Sequence, residues 1–586
     1  MLRFPRALWL VAFLAVALAL PSASADFYCD DLGMVLRFDG VAPSPIPGPL
    51  HAYTFASGVP GERHALVDHG PLPWWTSDGL RLSFFRPLSS ALLAIDHAVA
   101  GRHPLLYHLH SIAWYVAAVV AAAMLLRRLL PEREAALAAL LFAASPAHWM
   151  LAAWPAARHA AVSGTFAIAA IALHLRSREG SDGPARSVSP AAIASAALGL
   201  AAGESALGAF AFVVAYEVLG RRDPIAGRLR ALAPWGALFA VYAILYNRLA
   251  FGVRGSGTYV DPIAQPGEYL ALLPSRLAVF AEAALLGVPS ELSVLAPRAV
   301  PVLAALGIAA GLALALLLRR ALRALPEHRR TMTWLLAGSA MATLPGAAGI
   351  PGDRVLFLPN IGIAAALAIV LLHAGGDRGA AVRASLPTRA GVALFALVHV
   401  VLGPLAFALG GANLAATSHQ ALTLASKAEI PAREDIDVVC IGLSDPLVGM
   451  YLGPALWIAP RPEPRPRNVN LLSMSSYDHR VRRTDDRTLE IAILGGTLLD
   501  GPFARVVRPA SALLRAGDVV PLGAWTVRVL ADDAGQPTRF SVTFDRSVDA
   551  PSLAFVVWRD GALRALVPPA SGQEVLLRHE RGPMGI

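Results

Sequence analysis

The stretch ALWLVAFLAVALALPSASA, residues 7–25, followed at once by DFYCDDLG, residues 26–33, decides how the chain is read. A helix over the first part rises about 1.5 Å per residue and so reaches close to the ~30 Å of a bilayer's hydrocarbon core. Arg3 and Arg6 precede it, and its end, Ser22 to Ala25, is built of small residues that also suit a cleaved leader. An uncleaved first helix is the preferred reading, because the acidic stretch from Asp26 to Gly33 looks functional.

Further apolar runs of spanning length lie near 107–126, 135–153, 159–176, 189–203, 205–220, 231–250, 300–318, 333–350, 357–374 and 390–412. With the first they predict about eleven transmembrane helices. Hydrophobic residues make up 56% of the chain and charged ones 16%, more apolar than soluble cores require. The segment 268–290 is apolar but interrupted by Pro274, Arg276, Glu282 and Pro289, so an interfacial or re-entrant course is expected there.

The formal charge of +9 is spread over short arginine runs between the apolar stretches, a pattern that excludes a nucleic-acid partner in favour of membrane topology. With the N-terminus cytoplasmic, Arg127-Arg128 and the runs 176–186, 221–230, 319–330 and 378–389 all fall in cytoplasmic loops. The loop 26–106, the turns near 154–158 and 204, the segment 252–299 and everything past about 413 then lie outside. Lys427 is the sole lysine and alanine abounds, as in GC-rich bacterial genomes, so the bacterial inner membrane is the expected location.

After about residue 430 the pattern changes. Trp525-Thr-Val-Arg-Val-Leu, the turn residues Asp532-Asp533-Ala-Gly and Phe540-Ser-Val-Thr-Phe read as strands with a tight connection. The expected fold class is a mainly α, polytopic membrane protein with a C-terminal extracytoplasmic β-rich domain. Its domains are 1–412, with 26–106 as the first outer loop, and 413–586. Pro460 to Arg467 reads as a linker or arm within the latter. Cys29 and Cys440 form no metal or redox motif, but both fall on the oxidising side, which leaves a disulfide open.

The residues able to carry chemistry sit at the outer ends of helices. Asp30 and Asp31 can supply a general base, or help hold a divalent cation against a lipid phosphate; acidic residues also simply mark a solvated helix end. Arg86, Asp96 and His108 belong to a stretch leading into the second helix, where His and Arg bind phosphate or anchor among headgroups. His148, Trp154 and Arg158 occupy one hairpin turn, Glu204 another, and Arg354 precedes Pro359 at the start of a later helix. An arginine's planar fork suits a lipid-linked phosphate. No nucleotide-binding motif is present.

Taken in order, these segments resemble the GT-C superfamily of polytopic glycosyltransferases, above all the protein O-mannosyltransferase-like and related bacterial branches. The likeness covers residues 1–412. It runs through Asp30-Asp31, then Arg86-Pro87-Leu88 with Asp96, Gly101, Pro104 and Tyr107-His108, then Ser145-Pro146-Ala147-His148-Trp149-Met150 with Trp154 and Ala157-Arg158, then Gly203-Glu204, and finally Asp353-Arg354 through Pro359. Met150 stands where an acidic residue is usual, and Ser145 where a histidine is.

The resemblance implies transfer of a sugar from a polyprenyl-phosphate donor to an envelope glycan, lipid or protein on the outer face. Asp30 or Asp31 would be the base, with Arg158 and Arg354 favouring the phosphate leaving group. The metal requirement stays open. An inactive scaffold displaying the β domain is the alternative, which Met150 favours. A transporter ranks last, because the ionisable residues lie at helix ends rather than at mid-membrane depth.

Overall fold

The computed structural model describes residues 4–41, 46–59, 61–68, 72–179, 189–375, 385–501 and 503–585. The parts of the arginine runs within 180–188 and 376–384 lie outside the described residues. The chain forms two compact units. The first comprises Met1–Ala25, Phe85–Leu249 and Asp261–Ala415; the second comprises Asp26–Phe84, Ala250–Val260 and Ala416–Ile586.

The first unit is helical, and its last helix, Leu386–Ser426, continues past Ala415 into the residues of the second. Among the described residues, seven helices have the length and apolar character to cross a membrane: Arg6–Ser24, Pro104–Leu129, Pro155–Arg178, Ile225–Arg248, Pro266–Leu286, Pro297–Ala321 and Leu386–Ser426. Glu132–Ala143 and Pro146–Ala153, bent by 52° at Ala144-Ser145, make an eighth as a broken span. The expected runs 189–203, 205–220, 333–350 and 357–374 form the shorter helices Pro190–Ala202, Leu207–Ala215, Arg329–Ala342 and Asn360–His373. Proline explains part of the shortening: Pro345 and Pro359 sit at two of the breaks, where an intrahelical bond is lost.

Alanine does the packing. Ala118, Ala122, Ala135, Ala167, Ala196, Ala209 and Ala365 are wholly buried, and small side chains let helix backbones approach closely where no water drives association. Gly307 is the extreme case, since a Cβ there would lie 1.9 Å from the Ala278 carbonyl oxygen of the neighbouring helix. Gly307→Val is therefore expected to destabilise by at least about 1–3 kcal/mol. Gly311→Val, with nothing within 4 Å of its Cβ, should be neutral. Thermal unfolding of both variants in detergent checks this; equal midpoints would show that the two helices do not pack as described.

The segment expected to be interfacial or re-entrant is one unbroken helix, Pro266–Leu286, with Pro274 inside it. Near its start Tyr269 Oη donates to Leu344 O at 2.8 Å, and further along Arg276 donates to the carbonyls of Ala347 and Gly349. Just past its end the Ser290 N–H donates to Asp353 Oδ1 at 2.8 Å. Start, middle and following residues all bond to one stretch, 344–353, and by length and composition the helix is able to cross a membrane.

The second unit is β-rich, with thirteen strands among its described residues: β1 (Thr54–Ser57), β2 (Arg81–Ser83), β3 (Gly252–Arg254), β4 (Asp437–Ile441), β5 (Asn468–Leu471), β6 (Asp478–Arg483), β7 (Thr488–Leu494), β8 (Val519–Leu522), β9 (Trp525–Asp533), β10 (Gln536–Phe544), β11 (Leu553–Arg559), β12 (Ala562–Leu566) and β13 (Glu574–Leu577). They form three sheets, β1-β2-β3, β13-β6-β7-β10-β9-β8 and β12-β11-β4-β5. In the last, β4 runs parallel to both β5 and β11, and the helix Leu452–Ile458 makes the β4–β5 crossover. The stretch Pro460 to Arg467 is the return from that helix to β5. The β9–β10 hairpin turns through Ala534 and Gly535 at φ 49° and 81°, the left-handed pair a two-residue connection needs.

Residues 26–84 and 250–260, expected as outer loops of the membrane domain, fold here with the C-terminal segment. Two fully buried tryptophans secure the first of them: Trp74 Nε1 donates to Leu472 O and Trp75 Nε1 to Ala504 O. The disulfide left open by the sequence is not formed. Cys29 and Cys440 are both buried free thiols, the latter inside β4, where burial pushes its pKa up to about 12.

Candidate functional site

Each unit gathers its own set of polar residues. In the second, the helix Asp30–Phe38 starts on Cys29, whose φ of 48° is a left-handed conformation that side chains rarely adopt. Asp30 and Asp31 occupy the first turn, where the helix dipole favours negative charge. They are not equivalent. Asp31 is buried, and its Oδ2 accepts the Tyr28 N–H at 3.1 Å, which makes it a cap for the turn. Asp30 is half-exposed, and its Oδ1 accepts the Tyr451 O–H at 2.6 Å. Asp26 pairs with His419 at 2.5 Å and its N–H donates to Ser418 Oγ. The three acidic residues thus have three different partners. Among the described residues no group of three or more His, Cys, Asp or Glu is placed to hold a metal ion.

In the first unit, Arg86 Nε donates to Glu204 Oε2 at 2.8 Å, both side chains partly buried. Glu204 also lies within electrostatic reach of Tyr242 and Tyr246, and His159 within reach of both Arg86 and Arg354. Arg354 is half-exposed, with Nη1 4.0 Å from the Met150 sulfur. Beside it Asp353 is buried: its Oδ1 accepts the Ser290 N–H and O–H, and its N–H donates to Glu291 Oε1. Arg86, Glu204 and Arg354, singled out in the sequence, therefore share one neighbourhood with His159.

Arg158 does not belong to that set. It is 1% exposed, its Nη2 lies 2.5 Å from Asp96 Oδ2, and its Nη1 donates to Tyr107 O. The second Asp96 oxygen meets His110 Nδ1 at 2.7 Å, and His110 Nε2 accepts from Trp114 Nε1. Expected to face a phosphate, Arg158 is instead committed to a buried ion pair, with Asp96 as its counter-ion. His108 and His148 are fully buried. Nδ1 of the former meets Ala153 O, while Nε2 of the latter meets Asn360 Nδ2, with rings of Tyr115, Phe142 and Phe357 around it. Trp154 is half-buried between two short helical turns.

Sequence reasoning passed over Tyr451, His159 and Glu291. His159 had a signal, since it follows Arg158 directly. Tyr451 had none, being 421 positions from its partner.

Burial and the Glu291 charge push the Asp353 carboxyl up to about 7. Folding then disfavours its ionised form, so its stabilisation is full below the ordinary carboxylate range of about 4 and is lost as pH rises through about 7. Across that interval the unfolding temperature should fall less in Asp353→Asn than in wild type. Identical pH profiles would remove Asp353 from the titration.

Fold and polar sets define the chain as a multi-pass helical membrane protein with a β-rich unit. No protein family and no curated protein sequence matches it. Among solved structures it is similar to the oligosaccharyltransferase of Archaeoglobus fulgidus tethered with an acceptor peptide, at 12% identity and a TM-score of 0.42 over 80% of this chain and 63% of that one. It is also similar to ArnT of Cupriavidus metallidurans in the apo state, at 14% identity and a TM-score of 0.40 over 78% and 85%. For ArnT bound to undecaprenyl phosphate the values are 14% and 0.36 over 92% and 97%. The chain spans less than two thirds of the length of the oligosaccharyltransferase chain.

Proposed function

We propose that the chain transfers one sugar, with inversion, from a polyprenyl-phosphate donor to an acceptor on the outer face of a bacterial cytoplasmic membrane. The observation that carries this is Asp30, a half-exposed carboxylate in the first turn of a helix shortly after the first membrane helix, one oxygen fixed by a phenol. Asp30 takes the proton of the acceptor hydroxyl while that oxygen attacks the anomeric carbon. The bond from that carbon to the phosphate oxygen breaks, and its electron pair leaves with the polyprenyl phosphate.

Within the first unit, Arg354 and Arg86 suit a phosphate, with Glu204 orienting Arg86, and Arg158 acts only through Asp96. The donor carries its own activated bond, so a base, charge compensation and an opening to lipid suffice. The N-terminus is cytoplasmic and the second unit extracytoplasmic, which the arginine runs support once Pro266–Leu286 is re-entrant.

Glycan and glycolipid profiling of the native envelope, in wild type, a deletion and Asp30→Asn, tests the reading at matched membrane levels. Loss of the same glycan in deletion and variant is expected, and names the acceptor. A phenotype in the deletion alone would instead establish the second reading, a scaffold, which Met150 in place of an acid favours.

A further inference from the structure

The second unit supplies more than a platform. β4 ends at Ile441, and the loop 442–451 leads from its C-terminal edge into the crossover helix Leu452–Ile458, the place where parallel β-α-β units present functional groups. The loop is closely knit. Gly442 leaves the strand at φ 68°, and a Cβ on Gly449 would lie 2.8 Å from Leu443 O and 3.0 Å from Asp445 O. The Tyr451 N–H donates to Pro446 O at 2.9 Å. The Asp445 carboxylate closes the arrangement, accepting the Leu447 N–H at 3.0 Å and the Met584 N–H at 2.5 Å. What this loop delivers is one phenol, whose O–H meets Asp30 Oδ1 at 2.6 Å.

We infer that Tyr451 is a positioning residue for Asp30, holding its carboxylate in one orientation and in the ionised form a general base needs. The inference rests on the reading of Asp30 as the base. An O–H donated to a carboxylate favours its charged state. Tyr451 keeps that proton, because burial and the Asp30 charge both push the phenol's pKa well up. Tyr28 and Cys29 on its own stretch and Arg37 further along its helix also lie within electrostatic reach of Asp30, and Asp31 follows it in the first turn. The neighbouring Asp31 charge opposes ionisation and Arg37 assists it. Tyr28 Oη also lies 3.9 Å from the Met584 sulfur.

Isotope-edited infrared titration of the purified full chain reads the carboxylates directly, the Asp30 signal being identified by its absence in Asp30→Asn. In Tyr451→Phe the midpoint of that signal should rise by about one pH unit or more, at unchanged unfolding temperature, and Tyr28→Phe should leave it within a few tenths. A fluorinated tyrosine at 451, a stronger donor of the same shape, should lower it, and covers the case in which Tyr451→Phe folds poorly. Envelope profiling runs alongside, with transfer by Tyr451→Phe expected to fall about tenfold. If Asp30→Asn abolishes transfer while Tyr451→Phe leaves both midpoint and transfer unchanged, Tyr451 has no such role and the base stands. If Asp30→Asn keeps transfer, the base reading fails and takes the role of Tyr451 with it.

Discussion

Asp30→Asn is expected to cut transfer by about 10²–10⁴-fold, the range that a positioned general base contributes, while the protein reaches the membrane at its normal level. The amide keeps the size of the carboxylate and can still accept the Tyr451 O–H, so the fold loses little, but it takes up no proton at neutral pH. Asp31→Asn should behave in the opposite way. Its carboxylate is buried against the Tyr28 N–H in the first turn, and neutralising it weakens the cap and its interaction with the helix dipole by about 0.5–2 kcal/mol. Transfer per folded molecule should survive and the unfolding temperature drop. Initial rates in membrane preparations, normalised by immunoblot and paired with thermal unfolding, separate the two. The converse result, Asp31→Asn inactive at full stability and Asp30→Asn active, would exchange their roles.

Asp96→Asn should remove most of the protein from the membrane. It leaves the Arg158 guanidinium, 1% exposed, beside a neutral amide, and breaking a buried pair in this way costs about 3–5 kcal/mol, a large part of a typical domain's stability. His110 loses its charged partner at the same time. Replacing the whole pair by apolar residues of similar volume, Asp96→Leu with Arg158→Met, should restore much of the level, since no charge is then left stranded. Membrane abundance and unfolding temperature of the single and double variants decide the matter. Were Arg158 instead a phosphate ligand, Asp96→Asn would accumulate normally and show only weakened use of the donor.

The contrast between Arg158 and Arg354 shows where sequence reasoning reached its limit. Both are arginines beside a helix start, next to proline-containing turns, and by sequence both suit the donor phosphate. One has an aspartate 62 positions away as its partner and is sealed from solvent, while the other faces a methionine and stays half-exposed. Neither partner is local, so neighbouring residues held no record of the difference. His148 illustrates the same point, since its environment of Tyr115, Phe142 and Phe357 rings is drawn from two helices and the turn before a third. Arg86 and Glu204 were each marked singly, and their pairing across 118 positions emerged only on folding.

What the sequence determined by itself was the solvent and the class of element. Apolar runs of bilayer length, arginines between them and alternating strands with turn residues past 430 are local patterns, and a helix in lipid or a strand in a half-buried sheet follows from local chemistry alone. Tertiary structure decided what non-local contacts decide. It folded residues 26–84 and 250–260 with the C-terminal segment, joined Arg158 to Asp96, and separated Asp30 from Asp31 by bringing a tyrosine from 421 positions away to one and a backbone N–H to the other. Burial and partner choice set the charge, orientation and exposure of a side chain, and neither is a property of the residue or its neighbours in sequence.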